Sequence, residues 1–200
     1  MEPKILTLPM FPLNTIVLPG ETTVLHIFED RYKELIVDCM RNMANFGIPY
    51  VKNDMISEYG MEVRIKRILK TYENGELDIE VVGVEPFKIL QYTEVLKPKL
   101  YGAASIEEYE DDMTSVRYKM FRSLKKYIKS AKQKEIPVET FTNVSVYNVA
   151  ILLDLTNEEK IQLIAFQTLK EKEDFLIAKL KLFMHMLKTE QQLQGKFWMN

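Results

Sequence analysis

The chain predicts an α+β protein: a β-rich pseudo-barrel with one covering helix over residues 1–112, then a C-terminal helical bundle over residues 113–200. Three observations predict it. Short apolar runs broken by Pro9, Pro12, Pro19 and Gly20 open the chain, and alternating apolar and polar residues run between Met61 and Ile89. Beyond an acidic connector, Glu107, Glu108, Glu110, Asp111 and Asp112, the apolar spacing changes from two to three and four.

Each element has its own reason. Proline fixes φ and lacks a backbone donor, so the first segment must turn often. Gly20 directly after Pro19 suits a tight turn, and residues 25–28 resume as a strand. A helix over about residues 30–44 sets Leu35, Ile36, Cys39 and Met43 on one side and Arg31, Lys33, Glu34, Asp38 and Arg41 toward water, with Asp30 suited to its N-cap. Residues 61–66 and 77–81 alternate as half-buried strands. Asn74-Gly75 between them predicts a type I′ hairpin and makes them antiparallel neighbours. Residues 96–106 read as a closing strand pair with Pro98 at an edge or bulge.

In the helical half, Met113, Val116, Met120, Leu124, Tyr127 and Ala131 form a stripe at helical spacing. A short apolar helix follows at about residues 145–153. Thr156-Asn157-Glu158-Glu159 is a capping box opening a helix that buries Ile161, Ile164, Ala165 and Thr168. Leu169, Leu176, Leu180, Phe183 and Leu187 mark a last helix ending near Gln192.

Composition narrows the function class. With 200 residues, 46% hydrophobic and 28% charged, the chain has the make-up of a soluble globular protein, and a net charge of −2 gives no whole-molecule attraction to nucleic acid or anionic lipid. Prolines at 3, 9 and 12 interrupt any secretory leader, and no apolar run approaches the roughly 18 residues of a membrane span. Together with a lone Cys39 on an apolar helix face, these features point to a reducing, cytoplasmic setting.

Catalytic constellations are missing from the pattern. There is no G-x-x-x-x-G-K-[ST] phosphate loop, and His26 and His185 lie too far apart to begin a zinc site. Cys39 with His26 is the one nucleophile–base combination, and an apolar setting does not activate a thiol. Carboxylate pairs such as Glu107 with Glu110 fall in the solvated connector. The expectation is a non-enzymatic chain with no catalytic residue, cofactor or metal.

Two kinds of surface could bind instead. From Arg117 to Lys134 the cations Arg117, Lys119, Arg122, Lys125, Lys126, Lys129, Lys132 and Lys134 occur without one acid, mostly opposite the apolar stripe. Such a face is solvated, or it meets RNA, an acidic protein segment or the chain's own acidic connector. Aromatic platforms along it are sparse, which argues against base-specific reading. The second kind is apolar: eleven methionines offer adaptable contacts, and strand edges near Tyr50-Val51 or Tyr101 could accept an extended peptide.

The opening residues carry a resemblance. Leu8-Pro9-Met10-Phe11-Pro12-Leu13-Asn14, Pro19-Gly20 and the cluster from His26 to Tyr32 resemble the start of the Lon N-terminal domain, the substrate-binding module of ATP-dependent protease La. Phe46-Gly47-Ile48, Gly60-Met61-Glu62-Val63, Asn74-Gly75-Glu76-Leu77 and Val82-Gly83-Val84-Glu85-Pro86-Phe87-Lys88-Ile89 are similar to its later strands. Asn148-Val149-Ala150 and Leu155 to Lys160 resemble its helical continuation. Leu18, Asp30 and Pro86 depart from the family's usual Phe, Pro and Arg, so no arginine contact is expected at Pro86. The resemblance implies a free-standing Lon-domain protein that binds polypeptide clients, or works with a protease partner, without ATPase or peptidase parts. Because the related PUA-like folds include RNA-binding members, an RNA-associated module using residues 117–134 is the alternative, with Arg117, Arg122, Lys126, Lys129, Tyr50 and Tyr101 as candidate contacts.

Overall fold

The computed structural model describes residues 4–108, 115–131 and 144–197, which leaves Met113, Lys132, Lys134 and the acids Glu110, Asp111 and Asp112 outside the described residues. Six strands are present: β1 (Lys4–Met10), β2 (Thr22–Ile27), β3 (Phe46–Lys52), β4 (Met55–Thr71), β5 (Leu77–Thr93) and β6 (Gly102–Glu108). The helices are α1 (Asp30–Asn42), α2 (Tyr118–Ser130), α3 (Val146–Leu152), α4 (Asn157–Ala165) and α5 (Leu169–Phe197).

The strand pairing closes on itself. β5 pairs antiparallel with β4, β4 with β3, and β3 runs parallel to β1. β1 then pairs antiparallel with β6, and β6 returns to the second half of β5, from Phe87 to Thr93. The first half of β5 uses the same edge for β2, from Thr22↔Val82 to Ile27↔Leu77. A strand of 17 residues can serve two neighbours end to end, because each needs only part of its length. Met10, Phe87, Ala104 and Ile106 form a buried cluster with Leu6, Leu8, Ile89 and Tyr92 against it.

Two glycines let the layers approach. A Cβ on Gly60 would lie 2.6 Å from the Phe87 ring and 2.8 Å from the Ile48 carbonyl oxygen. At Gly83 it would lie 2.2 Å from the Leu18 carbonyl oxygen, and this backbone contact is held on both sides, with Gly20 N–H donating to Gly83 O and Gly83 N–H to Glu21 O, each at 3.0 Å.

Several local expectations change. The two-residue hairpin of type I′ character lies at Asn53-Asp54, both at positive φ (50° and 59°), between Lys52 and Met55. At the Asn74-Gly75 site only Gly75 is positive (82°), and a five-residue connection closes with Gly75 N–H to Tyr72 O and Tyr72 N–H to Glu76 O. That geometry is a type I turn with a left-handed glycine after it. Residues 96–106 do not form a strand pair: Leu96 to Lys99 is a turn containing the cis Lys97–Pro98 bond, and β6 alone follows. Glu29 occupies the N-cap position of α1 without a side-chain cap bond, and Asp30 sits in the first turn facing Lys33. α1 ends at Asn42, so Met43 leaves the apolar face as a left-handed cap and is 94% exposed.

The chain divides into two compact units. The first comprises the six strands, α1 and α4; the second comprises α2, α3 and α5. By sequence α4 lies within the stretch 113–200; in the structure it packs with the strands. Its buried residues are Lys160, Leu163 and Ile164, while Ile161 and Ala165 are half-buried. Thr168 is exposed and caps α5, its hydroxyl accepting from Glu171 N–H at 3.2 Å while Glu171 Oε2 accepts from Thr168 N–H at 3.0 Å. T-x-x-E at 168–171 was the signal for that boundary. In the second unit α2 buries Met120, Leu124 and Ile128, and α3 begins at a Ser145–Asn148 capping box. α5 buries Leu176, Ile177 and Leu180 and runs to Phe197, past the expected end at Gln192.

Gly83→Ala is expected to lower unfolding free energy by about 2–3 kcal/mol, since the obstructing atom is backbone and cannot swing aside. Urea denaturation measures it, with Lys125→Ala at an exposed helical position as the silent comparison.

Candidate functional site

The surface around Tyr50 is a structural seam. β3 is paired on one side with β4, and on the other Val51 N–H donates to Leu13 O (2.7 Å) and Leu13 N–H to Pro49 O (3.2 Å). The Tyr50-Val51 edge is therefore closed, because the proline-broken segment after β1 lies along it. Tyr50 itself is buried and donates its hydroxyl to Glu158 Oε1 at 3.1 Å, the same oxygen that Lys52 Nζ reaches at 2.6 Å. The hydrogen bonds from Lys52, from the backbone and from Tyr50 hold the Glu158 carboxyl down at about 2.

Farther along α4, the amine of Lys160 enters the interior. It meets Glu21 Oε1 at 2.6 Å and Oε2 at 2.9 Å, and the Ile16 carbonyl at 3.4 Å. Glu21 Oε2 also accepts from Leu18 N–H at 2.8 Å. Asn157 takes Ile16 N–H at 3.4 Å on its side-chain oxygen and gives its amide to Asn14 O at 3.0 Å. Four backbone groups of a segment without strand partners are thus satisfied by three side chains.

Tyr101 is likewise committed. It is 6% exposed, its hydroxyl donates to Asp38 Oδ2 at 2.8 Å, and Lys99 Nζ reaches the same oxygen at 2.5 Å. Those bonds, Lys99 first, depress the Asp38 carboxyl, while burial raises the Tyr101 phenol. β6 beyond it is paired on both sides, so this edge is also closed.

On α2 the cations separate into two kinds. Arg117 bridges to Glu173, which is 1% exposed, through both its backbone N–H and its guanidinium, and Lys119 pairs with Asp174 at 3.2 Å. Arg117 is thus tied into the second unit. Arg122, Lys125, Lys126 and Lys129 are exposed and make no ion pair among the described residues.

No nucleophile is assembled at Cys39. It is buried, its thiol is pushed up to about 11 by burial, and its Sγ faces the Asn45 carbonyl at 3.9 Å. His26 is held elsewhere, with Nδ1 2.7 Å from Asp78 Oδ1 and Nε2 3.3 Å from Glu76 Oε2. Phe28 stacks on its ring, and Tyr72 donates to Asp78 Oδ2 at 2.8 Å. His26 therefore ties β2 to the β4–β5 connection.

An open strand edge, not among the expected ones, lies at β2. β2 pairs only with β5 among the described residues, and its outward side chains Val24 and His26, with Phe28 just after it, are exposed. The signal available was Thr22-Thr23-Val24-Leu25-His26-Ile27, a strand without a charge.

A family model described as the ATP-dependent protease La (LON) substrate-binding domain matches residues 7–181. The fold is similar to that of the Lon N-terminal domain protein from Xanthomonas campestris, at 23% identity and a TM-score of 0.69, covering 86% of this chain and 98% of that one. It is similar also to the N-terminal domain of the Mycobacterium avium complex Lon protease, at 17% identity and a TM-score of 0.62, covering 88% and 98%. A search of the curated proteins finds no match.

Two outcomes follow for α4. Lys160→Ala leaves Glu21 without its cation and is expected to cost roughly 2–4 kcal/mol in chemical denaturation, of which Glu21→Leu/Lys160→Met recovers only part, since Leu18 N–H and Ile16 O then lose their side-chain partners. Because Glu158 is lowered from 4.5 to about 2, its contribution is complete above 4.5 and disappears as pH falls toward 2. Glu158→Gln should flatten the fall in Tm across that acid range, followed by circular dichroism.

Proposed function

The chain belongs to the substrate-binding-domain family of ATP-dependent protease La, and from that premise we propose that it is a noncatalytic module that recognises polypeptide. The observation that carries this is the family match over residues 7–181, which spans elements of both units. The geometry supports it. Tyr50, Tyr101, His26 and Arg117 are spent on holding the fold, and the thiol is buried with its pKa pushed up to about 11, so binding rather than bond chemistry is what the surface offers.

The closed ring of strands is read as a PUA-like pseudo-barrel, and α2, α3 and α5 as a helical bundle. Its work is to present or sequester a client, in the cytoplasm, for a protease partner or by itself. Among the described residues no helix is long and apolar enough to cross a membrane. Tyr50 and Tyr101 support the surface from beneath, and Arg117 braces α2. Arg122, Lys126 and Lys129, being exposed, favour one second reading, an RNA-associated module whose cations meet phosphate.

Salt separates the readings. Reduced, carboxymethylated lactalbumin is expected to bind where the native protein does not, with affinity changing less than about threefold between roughly 0.05 and 0.5 M salt; polyuridine held by α2 would be lost steeply over that range. Isothermal titration measures both. Failure of the unfolded chain to bind at either salt concentration overturns the polypeptide reading.

A further inference from the structure

β4, β5 and β2 extend beyond the closed ring as a three-stranded lobe, because β3 leaves β4 at Val63 and β6 leaves β5 at Phe87. Such a lobe has two outer edges, and this one treats them differently. β4 from residue 64 onward carries Arg64, Lys66, Arg67 and Lys70, all exposed, and its register against β5 shifts between Ile65 and Arg67 and again between Ile68 and Lys70. Charges and irregularities of this kind are how edge strands resist pairing with other chains. β2 has neither: Thr22 to Ile27 contain no charge and no proline, and the register against β5 is unbroken.

The backbone phase identifies what such an edge can hold. Gly83 N–H donates to Glu21 O, so in the antiparallel ladder that follows, residues 23, 25 and 27 turn their amides toward β5. Thr22, Val24 and His26 turn theirs to the far side, where no partner strand or turn hydrogen bond meets them among the described residues. Leu25 and Ile27 are buried at 7% and 0%, so the strand is anchored from within while its outer rim stays open. Val24 and Phe28, at 56% and 57% exposure, stand on the outer face beside the rim. His26 is fixed between them by Asp78 and Glu76.

We propose that the outer edge of β2 is the docking site for an extended segment of a polypeptide client, which adds as a strand beside Thr22, Val24 and His26 and sets apolar side chains next to Val24 and Phe28. The proposal rests on the polypeptide-binding reading above and supplies its site. A row of alternating donors and acceptors is matched by polypeptide backbone, and Thr22 to Ile27 contain no lysine, arginine, aspartate or glutamate to select acidic or basic segments. What it does select is an extended stretch with apolar residues at alternate positions, the pattern a strand exposes when its own protein unfolds.

The test uses a fluorescent peptide of roughly eight residues alternating valine with serine, in three forms: unmodified, backbone N-methylated at the valines, or N-methylated at the serines. Strand addition predicts that one methylated form loses about tenfold in affinity while the other stays within about twofold, because only one set of amides faces β2. Val24→Lys, which gives this rim the guard β4 already has, is expected to weaken the unmodified peptide by about tenfold with Tm unchanged. Equal effects of the two methylations, or a peptide that binds Val24→Lys as well as the wild-type chain, overturn the edge while leaving polypeptide binding in place. Binding of neither the peptide nor unfolded lactalbumin overturns the functional reading from which the edge was argued. A concentration-dependent dimer that dissociates in Val24→Lys and excludes the peptide assigns the edge to a second copy and overturns the client as its occupant.

Discussion

The ion pair between Lys160 and Glu21 is the constraint around which the first unit is organised. Residues 11–21 follow β1 through prolines and turns, so they cannot form a regular ladder, yet Ile16, Val17 and Leu18 among them are buried. Buried backbone must be hydrogen-bonded somewhere. Here α4 supplies partners through Asn157 and Lys160, and Glu21 supplies the rest from within the segment. A single amine thus serves electrostatics and backbone satisfaction together, and α4 is held to the strands by it and by the Glu158 contacts with Tyr50 and Lys52.

Gly83 completes the arrangement from the other side. Its missing side chain admits the Leu18 carbonyl, and its own amide and carbonyl tie the far end of the same segment to β5. The irregular stretch is clamped between a helix that comes late in the chain and a strand in its middle. β2 follows directly and inherits its register from that clamp, which is why the phase of its outward amides is fixed.

What could be read in advance was local. Alternation located β4 and β5, helical spacing located α2 and α5, and the Thr156 capping box appears as expected, with Glu159 N–H 3.3 Å from the Thr156 hydroxyl. The type I′ turn expected at Asn74-Gly75 forms instead at Asn53-Asp54, because Asn-Gly and Asn-Asp both tolerate left-handed backbone and loop length decides between them. Burial of Lys160 was unreadable, since its partner lies 139 residues away and a lysine in a helix otherwise faces water. The same holds for the surface. Whether a strand edge is open depends on what other strands do, so Tyr50 and Tyr101 were credible and proved to be paired, whereas Arg117 was seen as a cation but not as the partner of Glu173.

The position of α4 also imposes an order of assembly during synthesis. All six strands and α1 have left the ribosome before Lys160 does, and until then the Glu21 carboxylate lacks its cation and Asn14 O, Ile16 N–H and Ile16 O lack the partners that α4 supplies. Closing that contact draws together points more than 130 residues apart, an entropic cost that grows only slowly with length but is met late. A nascent chain of this design is therefore complete in its hydrogen-bonded strands and unfinished along residues 14–18, and a translation stall before α4 would leave the segment that leads into β2 unlatched.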